Sequence, residues 1–177
     1  MSDYKTALTA SMEMLARDPM FRAVGYGLLN GKGGNGTMKG IVNEKCVEVT
    51  VAENLMVGIG HGLALTGLRP LILFERSDFI SCGLSAIANH LDCANEISRG
   101  QYNPCCVIRV IVGNKTKPLF TGRTHTQNAA AAMRAMIRMP VYEVRSPEEV
   151  SAAYGRAAFE QRQGIGSSMI FEFRDLY

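Results

Sequence analysis

Apolar residues recur along this chain in two alternating rhythms. From Asp3 to Arg17, Leu8, Met12 and Leu15 fall on one helical face, and Asp18-Pro19 breaks the pattern. Phe21–Val24 then reads as a short strand, and Cys46–Val51 as a second β-prone run. Arg69–Phe74 and Cys105–Val112 are nearly continuous apolar runs, as expected of strands buried on both faces of a parallel sheet. Met139–Val144 and Ser168–Phe173 complete the strands. Helical stretches lie between them: Glu53–Leu65, Ser77–Ile97, Asn128–Arg138, and a helix ending near Gln161. That last helix opens on Ser146-Pro147-Glu148-Glu149, which joins an N-cap, a first-turn proline and a capping-box glutamate. Thr50-x-x-Glu53 has the same capping-box spacing. The alternation predicts a three-layer α/β/α fold with a mostly parallel sheet, as one domain over residues 1–177. In such sheets ligands gather beyond the carboxyl ends of the strands, where the segments holding Glu53, Glu75–Phe79 and Gly113–His125 converge.

Composition narrows the function. The net charge of +3 comes from 19 basic and 16 acidic residues interspersed along the chain, which argues against nucleic acid as a partner. No apolar run reaches the roughly 18 to 20 residues a bilayer span needs, and the N-terminus reads as a helix start rather than a signal peptide. A cytoplasmic protein is expected. Five cysteines without a Cys-x-x-Cys pair read as free, buried thiols of a reducing compartment, and three separated histidines give no sign of a metal site.

The glycines raise two questions. Gly31–Gly36 reads GKGGNG, but Thr37-Met38 follows where a phosphate loop needs Lys and then Ser or Thr. Gly25–Gly40 is therefore expected to be a surface loop, mobile or ordered by a partner. The helix Glu53–Leu65 holds Gly58, Gly60, Gly62 and Ala64. Each glycine costs a helix about 1 kcal/mol relative to alanine, so their concentration points to close approach by another backbone or a cofactor.

The run from Val49 to Pro70, VTVAENLMVGIGHGLALTGLRP, resembles the pyrimidine-binding domain of transketolases and of the beta subunits of decarboxylating 2-oxo acid dehydrogenases. The shared features are a strand, a Glu at the helix start, spaced small residues, and Gly-x-x-Pro before the next strand. Ser98-Arg99-Gly100-Gln101, followed by Val107-Ile108-Arg109, is closer to the dehydrogenase beta subunits. The resemblance implies thiamine diphosphate as cofactor and a reaction at a carbon–carbon bond next to a carbonyl. It makes Glu53 the acid that activates the cofactor, Phe79 a ring against the aminopyrimidine with Cys82 and Ile80 near the same wall, and His125 a residue acting on the substrate oxygen. His61 is left open, and His90 reads as structural. Lys115, Lys117 and Arg123 read as a solvated loop or an anion-attracting rim.

The Gly-Asp-Gly element with which that family holds diphosphate through a divalent cation does not occur in these 177 residues. Nor does the family's further C-terminal domain. The resemblance therefore implies that Mg²⁺ and the diphosphate sit on a separate subunit, in a two-plus-two heterotetramer. Gly25–Gly40 and Lys115–Arg123 depart from the family pattern, which leaves the substrate open between 2-oxo acids and ketose sugars. A non-catalytic regulatory or scaffolding subunit that keeps the fold is the alternative.

Overall fold

The six apolar runs form one sheet in the computed structural model, which describes residues 3–117 and 122–177. The strands are β1 (Phe21–Gly25), β2 (Cys46–Glu48), β3 (Arg69–Phe74), β4 (Val107–Val112), β5 (Val141–Val144) and β6 (Ser168–Phe173). They lie in the order β2-β1-β3-β4-β6-β5, and every neighbouring pair is parallel. β4 and β6 are buried along their whole length, which is why neither shows a polar face in the sequence.

Helices α1 (Asp3–Ala16) and α7 (Pro147–Gln163) cover one face of the sheet. The opposite face carries α3 (Glu53–Leu65), α4 (Ile80–Ser85) and α6 (Ala130–Met136); α2 (Gly33–Gly36) and α5 (Ala94–Ile97) are single turns. Side chains alternate between the layers as a period of two requires. Leu71, Leu73, Val107, Ile111 and Ile170 meet α1 and α7, whereas Ile72, Phe74, Ile108, Val110 and Phe171 meet the other helices. Each such side chain, fully buried, contributes roughly 1.5–3 kcal/mol, so the two apolar layers clamp the sheet from both sides. The α/β/α architecture is the one the sequence predicts. The signal at Ser146 also holds: its hydroxyl accepts the Glu149 N–H at 3.2 Å.

Three local readings need correction. The stretch 77–97 is not one regular helix but a 3₁₀ turn (Ser77–Phe79), α4, a π-helical segment (Ala86–Leu91) and α5. The wider turn is visible where the Asp92 N–H donates to the Ile87 carbonyl five residues back, at 2.9 Å. The helix expected over 128–138 is shorter at both ends. Asn128 accepts the Ala130 N–H at 2.9 Å, and the Asp92 carboxylate takes the N–H groups of Arg138 and Met139 at 2.9 and 2.8 Å, drawing the chain out of the helix.

The third correction concerns Gly25–Gly40, which is not a surface loop along its length. Thr37 and Met38 are fully buried, and the Gly34 N–H donates to Glu75 Oε1 at 2.6 Å. What draws this segment inward is a charge in the core. Arg109, on β4, is completely buried and donates from Nε and Nη2 to the two carboxylate oxygens of Glu172, both at 2.8 Å. Its Nη2 also donates to Thr37 Oγ1 at 2.6 Å. Tyr154 and Tyr177 donate their hydroxyls to Glu172, the latter at 2.7 Å. Burial alone would lower the Arg109 pKa, but the Glu172 carboxylate together with Tyr154 and Tyr177 offsets it and holds the guanidinium well above its ordinary value.

Candidate functional site

Glu53 opens α3 at the carboxyl edge of the sheet. Despite the Thr50-x-x-Glu53 spacing, the N-cap is Ala52 and no side chain caps the helix. The Glu53 carboxylate is therefore not spent on helix capping. The residue is only 6 % exposed and makes no hydrogen bond or ion pair among the described residues. Neither of its carboxylate oxygens is among the fully buried, unpartnered side-chain atoms, so the carboxylate is left free by this chain and still open to solvent at the site.

α4 packs against the first turn of α3. A β-carbon added at Gly83 would lie 3.3 Å from the Glu53 carbonyl oxygen, so only glycine lets the two helices approach comfortably. Cys82, next to Gly83, is exposed. Tyr26, one residue beyond β1, lies within the electrostatic reach of Glu53, Glu75 and Cys82. Its phenol is pushed up to about 12, first by burial and then by Glu53 and Glu75. The side chains of Glu53, Tyr26, Glu75 and Cys82 thus gather at the ends of β1 and β3.

Glu75 and Arg76 leave β3 together. Burial raises the Glu75 carboxyl against the Gly34 N–H and the nearby Arg109 and Arg76 charges. Arg76 Nη1 lies 3.8 Å from Glu75 Oε2, and its Nε is buried without a hydrogen-bond partner among the described residues. Burial, and next the charge of Arg174, lower the Arg76 pKa.

Phe79 and His125 meet. Their rings stand edge to face, with centroids 5.2 Å apart and planes at 87°. The Thr124 hydroxyl lies 3.1 Å from His125 Nδ1, which leaves Nε2 as the ring nitrogen able to reach outward. Phe79 and Cys82 are about one turn apart in the same helical segment, so the Phe79–His125 pair adjoins the Glu53 group. Of the four residues singled out in the sequence, Glu53 and Cys82 fall in one cluster and Phe79 and His125 in the next.

The remaining candidates lie elsewhere. His61 and His90 line a largely apolar groove of about 360 Å³ with Leu65, Ile97 and Tyr102, on the outer side of the helix layer. Burial, and then His90, lower the His61 pKa. Lys115, Lys117 and Arg123 are exposed, and part of the loop between them lies outside the described residues. Among the described residues no group of three or more His, Cys, Asp or Glu is placed to hold a metal ion. No described helix is long and apolar enough to cross a membrane.

Sequence reading missed Tyr26 and did not single out Arg76. The signal for Arg76 was present, since Glu75-Arg76 interrupts a run that is otherwise apolar from Leu71 to Phe74. Tyr26, between Gly25 and Gly27, carries no motif that marks it.

Comparison with known proteins agrees with this geometry. No family model matches the chain. The beta subunit of the pyruvate dehydrogenase E1 component of Mycoplasma pneumoniae is 32% identical over 120 residues, covering 64% of this chain and 36% of that protein. The corresponding subunit of Mycoplasma genitalium is 34% identical over 77 residues, covering 44% of this chain and 24% of that protein. A chloroplastic E1 beta subunit of Arabidopsis thaliana is 29% identical over 101 residues, covering 55% of this chain and 25% of that protein. The matches thus span about a third or less of these relatives' length. In fold, the chain superposes on a split-gene transketolase solved as an inactive beta4 tetramer, with a TM-score of 0.72 over 97% of this chain and 51% of that one, at 17% identity. The resemblance read from Val49–Pro70 is thus borne out: the chain is similar in sequence to pyruvate dehydrogenase E1 beta subunits and shares the fold of a split-gene transketolase.

Proposed function

We propose that this chain supplies the aminopyrimidine-binding half of a thiamine-diphosphate site, in an enzyme that makes or breaks a carbon–carbon bond next to a carbonyl. The observation that carries the reading is Glu53: a residue only 6 % exposed whose carboxylate is unpaired among the described residues and still open to a ligand, at the carboxyl edge of a parallel sheet. Thiamine diphosphate would supply there a thiazolium carbon whose proton can pass to the imino form of its own aminopyrimidine, leaving the carbon nucleophilic. Glu53 holds the proton shared with the distal ring nitrogen and so favours that form. Phe79 offers an apolar ring to the pyrimidine, with Cys82 beside it. His125, carried on Phe79, presents Nε2 to the substrate oxygen for hydrogen bonding or proton transfer.

The diphosphate and its Mg²⁺ are assigned to a separate subunit, in a two-plus-two assembly in the cytoplasm. The outer side of α3 supports a partner there. Leu55, Gly58, Gly62 and Leu65 recur at helical spacing, all exposed, and a β-carbon at either glycine would meet nothing in this chain.

The test is calorimetry of thiamine diphosphate with Mg²⁺ on the chain co-purified with the product of its neighbouring gene, or with a partner captured by pull-down. Tight binding by the mixture, weakened in Glu53→Gln, is the expected result. Binding and turnover indifferent to Glu53→Gln would overturn the assignment.

A further inference from the structure

We infer that Ser77 and Asp78 are positioning residues for His125: with the side-chain-free backbone of Gly113 they clamp the segment around the histidine so that its imidazole stands edge-on to Phe79. Three contacts make the clamp. Asp78 Oδ1 accepts the Gln127 N–H at 3.2 Å. Ser77 Oγ accepts the Ala129 N–H at 3.0 Å. A β-carbon at Gly113 would fall 1.7 Å from the His125 carbonyl oxygen, so that oxygen rests directly on the end of β4.

The clamp answers a physical need. Residues 122–125 form a single 3₁₀ turn followed closely by the exposed Gln127 and Asn128, and among the described residues no strand or long helix includes them. An imidazole there would otherwise lose its contact with Phe79 among many loop conformations. Ser77 and Asp78 belong to the same turn as Phe79, so one short element presents the ring and fastens the backbone that brings the histidine to it. Asp78 also keeps Oδ2 buried with no hydrogen-bond partner among the described residues, a cost tolerated at a position whose one acceptor bond goes to this segment. The catalytic meaning of the clamp rests on the reading of His125 given above; the clamp itself does not.

It is tested on the full chain alone, without cofactor or partner, so a failed cofactor reading leaves the result intact. His61, His90 and His125 are the only histidines, and their ring signals are resolved by NMR. Phe79→Leu defines where the His125 signals fall without the aromatic neighbour. Asp78→Ala, Ser77→Ala and Gly113→Ala are expected to move the His125 signals toward that position, while His61 and His90 stay in place and report an intact fold. Asp78→Asn, which keeps the Oδ1 acceptor, is expected to retain the native position. His125 signals unmoved in Asp78→Ala and in Ser77→Ala would overturn the inference. If Gly113→Ala does not fold, those two variants decide the matter.

Discussion

Glu172 and Glu53 are two buried glutamates of one small sheet, treated in opposite ways. Glu172, on the face under α1 and α7, is saturated by its own chain: Arg109 twice, Tyr154 and Tyr177. Glu53, in the helix layer of the other face, is 6 % exposed, keeps its carboxylate oxygens open to solvent and has no partner among the described residues. A fully buried charge has to be paired within the fold, whereas a carboxylate that still meets solvent can stay unpaired and available to a ligand. The difference separates a region whose charges are met within the chain from one whose carboxylate is left free.

The largest expected effect breaks the completed region. Glu172→Leu leaves the Arg109 guanidinium buried without a counter-charge, and removing one partner of such a pair typically costs about 3–5 kcal/mol. Urea unfolding should show this as a large fall in midpoint. The double variant Arg109→Met/Glu172→Leu is expected to recover part of it, because two apolar side chains replace two charges. A single variant as stable as the parent would mean that Glu172 is no more structural than Glu53.

Glu53→Gln is the converse. It removes an unpaired charge, so stability should hold or rise slightly, while turnover of the assembled enzyme falls by about 10²- to 10⁴-fold, the usual worth of a positioned acid or base. Paired urea and steady-state measurements on one preparation check both halves. A stability loss comparable to that of Glu172→Leu would place Glu53 in the framework instead of the site.

The same division explains what the sequence made legible. β3, β6 and α3 were found to the residue, because buried parallel strands are unbroken apolar runs and the small-residue helix has sharp ends at Glu53 and Gly67. Glu53, Phe79 and His125 were singled out through likeness to a family, since no periodicity or local motif marks them. Arg109 and Glu172 were not found as a pair, since each is one charge in an apolar run and nothing local shows that they face each other across adjacent strands. The inward turn of Gly33, Gly34, Thr37 and Met38 escaped for the same reason. A segment rich in glycine reads as a loop until the Thr37 hydroxyl and the Gly34 N–H are seen to answer Arg109 and Glu75.

Within α3 the comparison shrinks to two glycines. At Gly60 a β-carbon would lie 2.4 Å from Ile72, so Gly60→Ala should destabilise the chain by about 1–3 kcal/mol through overpacking. At Gly58 it would meet nothing, so Gly58→Ala should raise the isolated chain's stability by about 0.5–1 kcal/mol. If α3 faces a partner, Gly58→Ala should also weaken co-purification. Stabilisation with partner binding unchanged would direct the search for the interface to another surface.

The smallest effect reads the unpaired carboxylate through its neighbour. Tyr26 is held up to about 12 by burial first and by Glu53 next, against an ordinary tyrosine value of about 10. Because the raised value means that the folded chain keeps the proton longer than the unfolded chain does, this group's contribution to stability is complete below about pH 10. It is then lost as pH rises toward about 12. The difference in absorbance near 295 nm between the parent and Tyr26→Phe isolates this one phenol during an alkaline titration. In Glu53→Gln the same difference titration should have its midpoint at lower pH, yet still above the ordinary value, since burial remains. A midpoint unmoved by Glu53→Gln would mean that the two groups do not sense each other, and the cluster at the end of β1 would lose its link to Glu53. A midpoint that falls all the way to the ordinary value would instead show that the carboxylate outweighs burial, and that Tyr26 is an electrostatic neighbour of whatever binds at Glu53.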